Sequence, residues 1–213
     1  MASDLEPRSL RWMRAADSAE LRIFIRKQLD DHELATDGYL HPYGFVVFKL
    51  GLIEPGWLSR LHIWPVGQDN VDGWRIHNHA WWLYSRVLTG GLTNHCYDVQ
   101  RVEDRSADLL YTVASSSFST GESILISEKQ HVNCIEKRVE RWKENDLYVV
   151  DKFAFHDTVA DNSGVTATLV LTELKGIERP QVVGPAAARG RVAFKRRALE
   201  PQFALELVSQ IID

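Results

Sequence analysis

Gly73-Trp74-Arg75-Ile76-His77-Asn78-His79-Ala80-Trp81-Trp82-Leu83-Tyr84-Ser85-Arg86-Val87-Leu88-Thr89-Gly90-Gly91-Leu92 is the stretch on which the fold turns. His77 and His79 stand two positions apart in a run rich in β-favouring residues. Successive side chains of an extended chain point to opposite faces, so residues two apart share a face, and their ring nitrogens can reach one ion. The same spacing also suits a polar stripe on an exposed strand. Both readings stay open until the rest of the chain is considered.

Outward from this stretch, short β-rich runs alternate with turn signals from Tyr43 to Lys175. They are 44–50, 58–64, 74–79, 84–88, 92–99, 108–114, 123–127, 131–136, 147–153 and 165–174. Many short strands in succession predict an all-β sandwich or barrel over 43–176. Residues 1–42 read as a helical lead-in. Asp17-Ser18-Ala19-Glu20 has capping-box spacing, and Leu21, Phe24, Ile25 and Leu29 follow at helical intervals. Residues 177–213 read as a loop and a terminal helix packed on the barrel. Pro180 to Arg191 is rich in Pro, Gly and Ala, and Glu200-Pro201 opens a helix carrying Phe203, Leu207 and Ile211.

Composition narrows the function classes. With 213 residues, 45% hydrophobic and 25% charged, the chain can bury the core of one domain. A net charge of -4 supplies no basic footprint for nucleic acid, and Lys195-Arg196-Arg197 reads as a solvated run. Cys96 and Cys134 form no CxxC pair and no secreted disulfide framework, which fits a reducing cytosol. No apolar run approaches the ~18 residues of a spanning helix. The expectation is a cytoplasmic protein without membrane or nucleic-acid partners.

The run from Gly73 to Leu92 resembles the first signature of the cupins: a glycine, His-x-His, an acidic position, and a glycine after the next strand. Asn145-Asp146-Leu147-Tyr148-Val149-Val150-Asp151-Lys152-Phe153-Ala154-Phe155-His156-Asp157-Thr158-Val159 is similar to the second, with His156 where cupins place their third histidine. The resemblance implies a double-stranded β-helix, or jelly-roll, barrel with helical additions at both ends. Within the cupins the chain looks like the thiol dioxygenases of the cysteine dioxygenase type. The likeness lies in Ile76-His77-Asn78-His79, Leu88-Thr89-Gly90-Gly91-Leu92 and Tyr97-Asp98. It implies Fe(II) on His77, His79 and His156, O2 and a small anionic substrate such as an amino acid or thiol acid derivative, and a possible homodimer. The resemblance puts Tyr84 at or next to the position where most cupins have a glutamate.

The sequence departs from that subfamily outside the three histidines. The Ser-x-His-x-Tyr relay has no counterpart in Thr166-Ala167-Thr168-Leu169-Val170-Leu171-Thr172-Glu173, and no histidine follows His156. Tyr84 takes the place of the cross-linking cysteine. Phe48 or Lys49 stands near the place of the carboxylate-binding arginine. These departures argue against oxidation of free cysteine and leave oxygen chemistry on another small substrate open.

Strand alternation nominates a different shell. If Tyr84 points into the barrel, Arg86 does too, and an inward arginine beside a cationic metal suits a carboxylate or phosphate. Tyr84 is then expected to orient the reacting centre, with Arg86 or Lys49 gripping the acid group. Arg60, His62 and Trp64 share one face of a strand and Leu61 and Ile63 the other. One face is core, and the other is pocket or solvent. His62 on a pocket face is a candidate acid-base group, with Arg60 and Trp64 as substrate-binding candidates. Trp74, Trp81 and Trp82 crowd the motif as pocket walls or rim. His95 could approach the metal or face solvent, His131 reads as part of an ordinary half-buried strand, and His32 and His41 read as surface residues. The leading expectation is a non-haem Fe(II) oxygenase. The alternatives are a redox-silent zinc or nickel enzyme (isomerase, lyase or bond-forming) and a non-catalytic ligand-binding barrel.

Overall fold

Trp57–Trp64 shows in one strand how the barrel is built: Leu61 and Ile63 are fully buried against helices, and Arg60, His62 and Trp64 turn to the other side. The computed structural model describes residues 6–30, 38–67, 73–117, 122–161, 163–174, 178–188 and 190–212. His32 lies outside them. In chain order the elements are α1 (Arg8–Ala15), α2 (Ser18–Asp30), β1 (Gly38–Leu40), β2 (Val46–Glu54), β3 (Trp57–Trp64), β4 (Leu83–Thr89), β5 (Gly91–Val102) and β6 (Asp108–Ser117). There follow β7 (Glu122–Lys143), β8 (Leu147–Val150), β9 (Phe155–Ala160), β10 (Thr166–Glu173), β11 (Gln181–Gly184), β12 (Arg191–Lys195), β13 (Arg197–Ala198) and α3 (Pro201–Ile212).

The strands form two antiparallel sheets. One runs β13-β1-β2-β3-β10-β4-β8; the other runs β11-β6-β7-β5-β9, with β12 also on β7. Neighbours far apart in sequence, such as β3-β10-β4, mark a jelly-roll winding, so the chain is an all-β barrel with helical additions. The helices cover the outer face of the first sheet. Met13, Leu21, Ile25, Leu207 and Ile211 meet Phe48, Leu50, Leu61, Ile63, Leu169 and Leu171 in one cluster, each large apolar side chain contributing ~1.5–3 kcal/mol. Strand β10 is the middle of this arrangement and is buried on both faces from Thr166 to Thr172.

The capping box forms as the spacing predicts: the Glu20 amide donates to Asp17 Oδ1 at 2.8 Å, and the Asp17 amide to Glu20 Oε2 at 3.2 Å. The expected terminal helix is α3. Other boundaries differ. Residues 123–127 and 131–136 belong to one long strand, β7, and the stretch read as a loop from Pro180 contains β11. The lead-in contributes β1 and the tail β11, β12 and β13, so both flanking segments are woven into the sheets. Trp74–His79 is an extended connection instead of a full strand. Its His77 bridges both His156 of β9 and Val182 of β11, joining the two edges of the second sheet. Among the described residues no helix is long and apolar enough to cross a membrane.

Candidate metal centre

His77 and His79 leave the extended segment together, and His156 enters from β9 across the backbone bonds His77 N–H to His156 O (3.0 Å) and His156 N–H to His77 O (2.8 Å). The three rings stand 4.6–5.1 Å apart between centroids, and one nitrogen from each lies within 4.8 Å of the other two. The polar-stripe reading is therefore excluded. Two of the rings are held by their other nitrogen: His77 Nδ1 donates to the Arg75 carbonyl at 2.8 Å, and His156 Nδ1 to Asn94 Oδ1 at 2.9 Å. Asn94 is itself buried and accepts from the Thr158 hydroxyl at 3.0 Å. Such bonds fix the tautomer and turn the Nε2 lone pair toward the shared space.

Among the described residues His156 Nε2 is buried without a hydrogen-bond partner, an arrangement that costs free energy unless a cation or donor meets it. Burial, followed by mutual repulsion, depresses the basicity of His79 and His156 strongly; burial depresses that of His77, opposed by its bond to the Arg75 carbonyl and by Asp157. Neutral imidazole is the ligating form, so the cluster fits a divalent metal. Asp157, beside His77, is engaged by Arg75 Nε at 3.2 Å and is not part of the cluster. The donor set is three neutral imidazoles.

Asn78, between the two histidines, anchors them to β11. Its Oδ1 accepts from the Gln181 amide at 2.7 Å, its Nδ2 donates to Gln181 Oε1 at 3.2 Å, and its amide donates to the Gln181 carbonyl at 2.9 Å. Gly184 of β11 lets Trp74 pack close, since a Cβ there would stand 2.2 Å from the indole. Two cavities adjoin the cluster. A small one of about 60 Å3 reaches all three histidines and is walled by Phe45, Trp64 and Leu83. A larger one of about 320 Å3 reaches His77 and His79 and is walled largely by aromatic rings.

The structure brings some of the nominated shell to these cavities. His62 lines both, packed on Phe45 and Trp64 at 4.9 and 6.0 Å, and burial lowers its pKa to about 3, aided by the Arg60 charge. Arg60 lines the larger cavity and Trp64 the smaller. Lys49 is paired with Arg60 in the β2-β3 register but is not part of either cavity wall.

Tyr84 and Arg86 need correction. They lie on the helix side of β4, where Tyr84 packs on Trp57 at 5.6 Å and Arg86 is registered with Leu169 of the helix-covered core. Alternation continues in phase from His77 and His79 through Leu83, so Leu83, Ser85 and Val87 take the inward positions. Trp74 and Trp81 line the larger cavity as expected, whereas Trp82 is exposed. His95 bonds Glu136 at 2.6 Å on the outer face of the second sheet, and His131 bonds the Ala107 carbonyl.

Two further residues of the larger cavity depart from the sequence expectation. His41, taken for a surface residue, lines the larger cavity and stacks on Phe45 at 4.5 Å, with Tyr43 beside it. Arg196, taken as part of a solvated run, also lines the cavity. The signal was alternation: Val192, Phe194 and Arg196 are the half-buried positions between exposed Arg191, Ala193, Lys195 and Arg197.

No family model and no curated protein matches the sequence. A comparison with solved structures finds a chain from the crystal structures of the DMSP lyases RdDddP and RnDddQII, at 14% identity and a TM-score of 0.28. The match covers 64% of this chain and 51% of that one, so it spans about half of that chain's length. Sheet topology and the histidine cluster together define the molecule as an all-β jelly-roll barrel with three clustered histidines whose nitrogens are placed to hold one metal ion.

Proposed function

We propose that this protein is a metal-dependent enzyme acting on a small anionic substrate, with a non-haem Fe(II) oxygenase as the leading form. The observation that carries the reading is the all-imidazole donor set beside an apolar cavity. Bound there, Fe(II) would supply one-electron chemistry toward O2, and zinc or nickel would supply Lewis acidity. Three neutral ligands leave the metal's full charge uncompensated, which favours an anionic substrate. The chain's own part is positional. Asn94 and the Arg75 carbonyl orient His156 and His77, and aromatic rings offer an apolar surface for the body of the substrate. His62, its pKa lowered to about 3 by burial and by Arg60, stays uncharged at neutral pH and offers the cavity a hydrogen-bonding imidazole, not a strong base. Arg60 offers positive charge to an acid group.

The test is metal analysis after anaerobic purification, followed by oxygen uptake by iron-loaded protein with a panel of amino, thiol and aromatic acids. Uptake that disappears in His77→Ala supports the oxygenase. Stoichiometric zinc or nickel without oxygen uptake replaces it with the redox-silent reading.

A further inference from the structure

Strand β3 passes from the small cavity, where Trp64 and His62 face the histidines, to the larger one, where Arg60 lines the wall. Arg60 Nε is buried and has no hydrogen-bond partner among the described residues. Arg196, arriving with the β12-β13 segment, lines the same cavity and lies over the Tyr39 ring at 4.9 Å. Tyr39 completes the group, from β1. Burial disfavours the charge on Arg60, Tyr39 partly offsets this and Arg196 adds to it, with no carboxylate among the described groups acting on it. Glu173, also part of the lining, acts on Tyr84.

A buried guanidinium whose Nε lacks a partner is costly unless an anion reaches it, and the planar fork of arginine suits an oxyanion. The rest of the cavity sets the body of that anion. Its wall includes Tyr43, Phe45, Trp74, Trp81 and Phe194, and its volume of about 320 Å3 is far from the dimensions of a tight amino-acid slot. Pockets of ~300–1,000 Å3 with mainly apolar walls and few polar groups hold larger organic ligands. We propose that the larger cavity binds an aromatic-bodied organic oxyanion, its carboxylate or phosphonate gripped by Arg60 and Arg196 and its body packed among the aromatic rings. This rests on the enzyme reading for the statement that the ligand's other end is presented to His77 and His79.

The experiment uses the full chain, metal-loaded, titrated by calorimetry with 3-phenylpropanoate, 2-phenylethylphosphonate, neutral 3-phenylpropanamide and acetate. The better of the two aromatic anions should bind at least about tenfold more tightly than the amide or acetate, and its identity tells which oxyanion the site prefers. Arg60→Met and Arg196→Met should each weaken that anion about tenfold or more, and leave the amide unchanged. Equal binding of anion and amide, equal binding of acetate, absence of anion binding, or indifference to both substitutions would overturn the proposal. The wild-type comparison stands even where a substitution unfolds the chain. Repeating the titration on His77→Ala/His79→Ala separates the two readings. Anion binding that persists with no metal bound to the wild-type chain sinks the metal enzyme alone, and stoichiometric metal without anion binding sinks the clamp alone.

Discussion

Strands β3 and β4 flank β10 in the same sheet and invite comparison. Strand β3 sends Arg60, His62 and Trp64 into the barrel and Leu61 and Ile63 to the helices; β4 does the reverse, with Leu83, Ser85 and Val87 inward and Tyr84, Arg86 and Leu88 toward the helices. Both patterns alternate, so polarity alone does not say which face is the pocket. What separates the two is the partner that each face meets. The helix side is a continuous aliphatic layer, within which Tyr84 and Arg86 sit at partly exposed positions, while the barrel side keeps buried polar atoms near the histidines.

That contrast can be broken in several ways, beginning with the largest effect. His156→Ala should abolish stoichiometric metal binding by elemental analysis, and full retention of metal would remove the barrel side's distinction. On the helix side, Leu169→Ala should cost ~2–5 kcal/mol in urea unfolding while leaving metal affinity within about twofold. Asn94→Ala, which frees His156 Nδ1, should weaken metal binding ~10- to 100-fold with a smaller change in stability, measured by competition with a chelator. Tyr84→Phe keeps the ring against Trp57 and should leave metal binding and stability unchanged to within ~0.5 kcal/mol. A large loss of metal there would put Tyr84 back beside the cluster.

A pH titration sharpens the same contrast. The folded pKa of His62 is depressed to about 3, so below its unfolded value of ~6.5 the unfolded chain takes up a proton that the folded chain refuses. Its contribution is therefore present in full above about pH 6.5 and falls away as the pH drops toward 3. Metal-free His62→Leu should show a shallower acid decline in unfolding midpoint than the metal-free parent. Identical profiles would place His62 in solvent.

The histidine cluster was legible because its spacing is local: two ligands lie on one extended segment, and the third sits in a second motif with its own strand. The strand rhythm gave the all-β body for the same reason. The shell around the cluster was harder, because it depends on which face meets which layer. For Tyr84 and Arg86, the position suggested by resemblance was carried forward by alternation, and being out of step by one residue put both on the wrong side. For Arg196, composition concealed alternation, since three consecutive basic residues look solvated although the middle one lies on the Val192-Phe194 face. His41 was hidden by its place in a turn, where no periodicity applies.

The reciprocal backbone bonds between His77 and His156, with the second bridge from His77 to Val182, give the metal site a mechanical meaning. The ligands straddle the seam where the second sheet's two edges meet, and they come from distant parts of the chain. An ion held there acts as a clasp on a non-local closure that is otherwise secured by a few backbone bonds. Stripping it should loosen the amides of His77, Asn78 and Val183 to hydrogen exchange, while β10, buried on both faces, stays protected.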